Sequence, residues 1–89
     1  MIYILIAYDL LRTLSGHGNW VYSVAFDSKD ILASGSGDRT IKLWNKNTGG
    51  LLRTLSGHGD SVNSVAFDSN DILASGSGDN TIKLWGKWF

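Results

Sequence analysis

Apolar and polar positions along this chain alternate in short runs rich in Val, Ile, Leu and Phe, cut by clusters of Gly, Asp, Asn and Ser every about 8 to 12 residues, the signature of strands joined by tight turns. No stretch carries a sustained helical period. The pattern predicts strands over residues 10–15, 21–26, 31–36 and 40–44, and again over 51–56, 62–67, 72–77 and 81–85. Ser36-Gly37-Asp38-Arg39-Thr40 and Ser77-Gly78-Asp79-Asn80-Thr81 supply residues that tolerate positive φ in hairpin turns, and Asp27-Ser28-Lys29-Asp30 and Asp68-Ser69-Asn70-Asp71 do so for the preceding hairpins.

The second set of strands repeats the first. Residues 10–44, LLRTLSGHGNWVYSVAFDSKDILASGSGDRTIKLW, return at residues 51–85 with five differences: Asn19/Asp60, Trp20/Ser61, Tyr22/Asn63, Lys29/Asn70 and Arg39/Asn80. A fixed period of this length marks a repeat architecture, in which each unit buries its faces by stacking on neighbours. The boundaries read as an apolar N-terminal strand or extension over residues 1–9, a first repeat over 10–50 and a second over 51–89. Asn47-Thr48-Gly49-Gly50 is the inter-repeat linker and is too short to separate domains. Four strands per period match one propeller blade.

Composition removes several function classes. Without cysteine there is no disulfide and no thiolate metal site, and two histidines a full period apart argue against a His-rich metal site within one chain. Eight basic and eight acidic residues are evenly scattered, so there is no electrostatic footprint for nucleic acid or an anionic membrane. The apolar run Ile2-Tyr3-Ile4-Leu5-Ile6-Ala7-Tyr8 falls well short of the ~20 residues of a membrane helix and lacks the flanks of a signal peptide, which leaves a cytoplasmic protein as the expectation. Ser34-Gly35-Ser36-Gly37 lacks the Lys-Ser/Thr and the strand-to-helix setting of a phosphate-binding loop. No cofactor is expected.

Gly16-His17 and Gly57-His58, each followed by V-x-S-V-A-F, then L-A-S-G-S-G-D, then T-I-K-L-W, resemble the WD-repeat β-propeller pattern over residues 10–85. The resemblance implies an all-β propeller with two four-stranded blades per chain, strands a to d running from the axis outward, and each sequence repeat beginning with strand d of the preceding blade. On that frame residues 10–15 are a spare d strand, residues 51–56 complete the first blade, and the second blade lacks its outer strand. Ring closure is then expected from head-to-tail strand exchange between copies. Two blades per chain allow only even rings, so a homotetramer of eight blades is the first expectation and a homotrimer of six the second. Lys87-Trp88-Phe89 and the apolar N-terminal run are expected to add contacts between copies. Each repeat departs from the family pattern in two ways: Asn45 and Gly86 stand where an Asp follows the strand-c Trp, and Ser28-Lys29-Asp30 and Ser69-Asn70-Asp71 replace a Pro-Asp-Gly turn.

The resemblance also implies two structural tetrads, His17, Ser34, Asp38 and Trp44, and His58, Ser75, Asp79 and Trp85, with Ser36 and Ser77 on the same strand face as alternatives. A Ser-His-Asp set invites a hydrolase reading, but it recurs once per repeat, pairs with Trp and has no oxyanion-hole signature, so no catalytic residue is assigned. Antiparallel pairing brings Asn19, Trp20, Tyr22 and Arg39 of one repeat, and Asp60, Ser61, Asn63 and Asn80 of the other, to one face of the ring, with Lys29 and Asn70 on the opposite face. Trp, Tyr and Arg are the types that dominate binding hot spots, and this loop-rich face is the candidate site for a protein or peptide. Drift at unconstrained surface positions is the competing explanation. The functional expectation is a non-enzymatic, self-assembling scaffold. The alternatives are an amplified, reconstructed or engineered fragment that only assembles, and, more distantly, a glycan-binding propeller.

Overall fold

The computed structural model describes residues 2–87 and contains seven strands and, among those residues, no helix. Strands β1 (Val21–Phe26), β2 (Ile31–Ser36), β3 (Ile41–Asn45) and β4 (Leu51–Leu55) form one antiparallel meander, and β5 (Val62–Phe67), β6 (Leu73–Ser77) and β7 (Ile82–Trp85) form a second. Corresponding strands have the same register: Ala25 pairs with Ala33 and Ala66 with Ala74, and both inner strands bulge after their first residue, at Val21/Ser23 and Val62/Ser64. The β2–β3 and β6–β7 turns put Arg39 (φ 73°) and Asn80 (φ 70°) in the left-handed region.

Each sheet has two chemically distinct faces because side chains alternate along a strand. The front of the first sheet carries Val21, Val24, Phe26, Leu32 and Trp44, and its back carries Ala25, Ala33, Gly35, Ile41 and Leu43. In the second sheet the fronts and backs are occupied by the same residue types one period on. The core is a single seam in which the back of the first sheet receives the front of the second: Ala33 and Ile41 pack with Val62, Val65 and Leu73, and Ala25, Leu43, Leu55, Phe67 and Trp85 border them. Gly35 makes this approach possible, since a β-carbon there would fall 2.8 Å from Val62 Cγ1. Polar bonds flank the seam: the Val65 N–H donates to Ser23 Oγ at 3.2 Å, and Ser28 donates its backbone N–H and hydroxyl to the Asp71 carboxylate at 3.0 and 2.7 Å.

The structure corrects one strand and bears out a complete first blade beside a second that lacks its outer strand. Residues 10–15 are not a strand, and the second sheet has three strands. A strand exists through ladder bonds to a neighbour, and no strand of the two sheets pairs with residues 10–15. The segment nonetheless lies across the front of the first sheet. Leu14 lines one groove with Val24, Leu32 and Trp44, and the Arg12 guanidinium donates to the Lys46 carbonyl. Leu55 of β4 occupies the corresponding place on the second sheet, beside Leu73 and Trp85. Residues 2–9 form no strand either and are exposed. Trp88 and Phe89, expected to touch a neighbouring copy, lie outside the described residues. No helix of the described residues is long and apolar enough to cross a membrane.

Candidate functional site

Two hydrogen-bonded chains of side chains stand on the fronts of the sheets. In the first, His17 Nδ1 faces Asp38 Oδ2 at 2.8 Å, His17 Nε2 faces Ser34 Oγ at 2.6 Å, and Trp44 Nε1–H donates to the same hydroxyl at 2.9 Å. In the second, the corresponding distances among His58, Asp79, Ser75 and Trp85 are 2.9, 2.7 and 2.9 Å. The partners assign the protons. Nδ1 carries hydrogen because it meets a carboxylate, and the serine oxygen, already accepting the indole N–H, turns its own hydrogen to Nε2. Ser36 and Ser77 serve elsewhere, each accepting the N–H of the following Asp, Asp38 at 3.0 Å and Asp79 at 3.1 Å.

The two carboxylates are the electrostatic centres of these chains. Partial burial works against the Asp38 charge, but hydrogen bonds from the Thr40 hydroxyl, His17 and the Gly18 N–H outweigh it and hold the carboxyl far below the ordinary range. Asp79 is lowered in the same way, chiefly by the Thr81 hydroxyl, with the Gly59 N–H and His58. A depressed carboxyl orients and anchors the imidazole. It also ties the loop before β1 to the β2–β3 turn, because one oxygen of Asp38 takes both Gly18 N–H and His17.

The chains have the order of a hydrolase triad without its access. Ser34 and Ser75 are buried, and their oxygens are capped by an indole N–H where a substrate would have to approach. Among the described residues no group of three or more His, Cys, Asp or Glu could hold a metal ion. A concavity at the end of the seam is lined by packing residues such as Leu43, Leu55, Phe67 and Trp85, together with Arg53 and Asp71.

Asn19, Trp20, Tyr22 and Arg39 come together at the edge of the first sheet. The Gly37 N–H donates to the Trp20 carbonyl at 2.8 Å, which fastens the β2–β3 turn to the start of β1, and Asn19 Oδ1 accepts the Trp20 N–H at 2.6 Å. Trp20 and Tyr22 meet edge to face with ring centroids 6.3 Å apart, and Trp20 is 75% exposed. At the same edge of the second sheet Gly78 N–H donates to the Ser61 carbonyl at 3.1 Å and Asp60 Oδ1 accepts the Ser61 N–H, while Asn63 and Asn80 are exposed. Sequence reasoning missed the pairing of Ser28 with Asp71 across the seam, since neither residue stands out in its turn.

The family model described as "WD domain, G-beta repeat" matches residues 8–45 and 49–86. The chain is 51% identical over 45 residues to pre-mRNA-splicing factor prp46 of Emericella nidulans, covering 49% of this chain and 10% of that protein. It is 40% identical over 45 residues to protein transport protein sec13 of Aspergillus oryzae, covering 46% of this chain and 15% of the relative. Among solved structures, the WD40 β-propeller domain of Doa1 superposes with a TM-score of 0.86 at 31% identity, over 90% of this chain and 27% of that one. The computationally designed Ika4 protein superposes with a TM-score of 0.77 at 42% identity, over 89% of this chain and 48% of the design.

Proposed function

The chain belongs to the WD-repeat family, and from that membership we propose that it is a non-enzymatic propeller scaffold that closes into a symmetric ring with copies of itself and offers its loop-rich rim to a protein or peptide. The observation that carries this reading is the state of the two faces the seam leaves over. Val24 on the open front is 59% exposed where Val65 in the seam is 5%, and Ile82 on the open back is 75% exposed where Ile41 is 0%. Apolar faces of that kind on adjacent sheets are matched halves of one contact, and each large side chain buried contributes about 1.5–3 kcal/mol. The segment over residues 10–15 supports the same reading: Leu14 lines the front of the first sheet as Leu55, from the end of β4, lines that of the second, and a copy's β7 pairs along the segment to gain its fourth strand. The arrangement is head to tail and closes by rotation, and it covers edges that otherwise invite aggregation.

With two blades per chain the ring is even, eight blades from four chains before six from three. Each copy then contributes one Trp20, Tyr22 and Arg39 set to the rim, and repeated weak contacts gain avidity against a repetitive target. The indole caps on Ser34 and Ser75 support a structural part for the Ser-His-Asp sets. A second reading, in which assembly is the entire activity, is favoured by the near identity of the two repeats.

Electron-microscopic class averages of the purified protein test the ring. Closed eight-bladed views are expected; isolated two-blade wedges or open arcs contradict it. The rim is tested by comparing proteins captured by the wild-type chain and by Trp20→Ala/Arg39→Ala. Loss of a specific partner in the variant supports the rim reading, and the absence of any partner favours assembly alone.

A further inference from the structure

Resting on the ring reading above, we propose that the seam between copies is a residue-for-residue repetition of the seam inside the chain, with Gly76 as a socket for Val21 and Val24 of a second copy and Asp30 as a latch for that copy's neighbour through Ser69. Ser23, Ala25, Ala33, Gly35, Ile41 and Leu43 on the mated back recur unchanged as Ser64, Ala66, Ala74, Gly76, Ile82 and Leu84 on the open back. The mated front of the second sheet likewise recurs unchanged on the first, and all five repeat differences fall in turns or at the β1 bulge. The open surfaces are therefore the two halves of a contact whose geometry is already present once in the molecule.

Two sites distinguish the occupied and open halves. A β-carbon on Gly35 would meet Val62 Cγ1 at 2.8 Å and Val65 Cγ1 at 3.2 Å, whereas one on Gly76 meets nothing within 4 Å. The front residues one period before Val62 and Val65 are Val21 and Val24, and they are exposed. The turns differ in the same sense. Asp71, docked to Ser28, has φ 60° and closes its turn through its N–H to the Asp68 carbonyl at 3.1 Å. Asp30, in the same place in the undocked first repeat, is outside the positive-φ region, and its Oδ1 accepts from Asn47 Nδ2 at 3.0 Å. When a second copy docks, Asp30 closes its turn as Asp71 does and takes the Ser69 N–H and hydroxyl. Ser64 Oγ then accepts the Val24 N–H of the copy, as Ser23 accepts that of Val65.

The test is sedimentation velocity across a dilution series with circular dichroism on the same samples, for wild type, Gly76→Val and Asp30→Ala. The wild type is expected to run as a closed oligomer. Gly76→Val fills a space that is empty within the chain, so it is expected to keep the β spectrum and sediment as single chains. Asp30→Ala, which touches no seam inside the chain, is expected to weaken association about tenfold or more. If both variants assemble like the wild type, copies meet through another surface and the seam is overturned while the ring stands. A wild type that stays monomeric at every concentration overturns the ring reading itself.

Discussion

Trp44 donates its indole N–H to the Ser34 hydroxyl at 2.9 Å, and that bond gives the hydroxyl its role. The oxygen lies in line with His17 and Asp38, as a nucleophile would, but its lone pair faces the indole and its hydrogen faces the imidazole. The result is a closed relay that spans strands β2 and β3 and the loop before β1, and every polar atom along it is satisfied.

Removing the hydroxyl therefore strands two donors or acceptors at once. Ser75→Ala is expected to cost about 1–3 kcal/mol, with the melting midpoint falling by roughly 4–8 °C for each kcal/mol. Thermal unfolding followed by circular dichroism reads the change, and His58→Ala is expected to fall in the same direction. A midpoint equal to that of the wild type would show that the relay carries no stability.

The depressed carboxyls give acid sensitivity a definite sign. Folded Asp38 and Asp79 hold their protons far more weakly than the unfolded chain, whose carboxyls titrate near about 3.9. In that window the unfolded state binds more protons, so stability rises with pH and is present in full above the unfolded value. It is lost as pH falls from about 4 toward the folded values. Denaturant midpoints between neutral pH and pH about 2.5 are expected to drop steeply below pH about 4, and less steeply in Asp38→Asn. An unchanged slope in that variant would remove Asp38 from the account.

Much of this was legible because the sequence is written twice. The period placed the seven strands to within a residue of their ends, and the His, Ser, Asp and Trp positions that the family resemblance implied are the ones that join hands. The segment over residues 10–15 reads as a strand in the sequence and is none in the single chain, because a residue pattern records the side chains a strand presents and is silent on whether a partner ladder exists. The difference between Asp30 and Asp71 was invisible for a related reason. Both sit in the same local sequence, and only packing on a neighbouring sheet separates them.

Arg39 holds φ 73° in the β2–β3 turn, a conformation that costs a side-chain-bearing residue about 1–2 kcal/mol. Arg39→Gly is expected to leave the melting midpoint unchanged or raise it by a few degrees, the relief of strain being partly offset by the flexibility glycine gives the unfolded chain. The same variant is expected to lose any partner held through the guanidinium. A midpoint lowered by several degrees would show that the arginine stabilises the turn itself.

Ile41 and Ile82 are one residue in two environments, buried in the seam and exposed on the open back. Ile41→Ala is expected to cost about 2–5 kcal/mol and to loosen the two sheets of a single chain. Ile82→Ala is expected to leave a chain's own fold intact and to weaken the oligomer. Equal effects of the two variants on the folding of dilute, dissociated chains would contradict the asymmetry of the faces.

Native mass spectrometry of the purified chain over a dilution series bears most directly on the claim that the molecule finishes its fold with copies of itself. A single species of four chains is expected, persisting as the concentration falls until it gives way to single chains without a ladder of intermediates. A folded monomer at every concentration would contradict the account, since the open front of Val24 and Phe26 and the open back of Ile82 and Leu84 would then be stable in water uncovered.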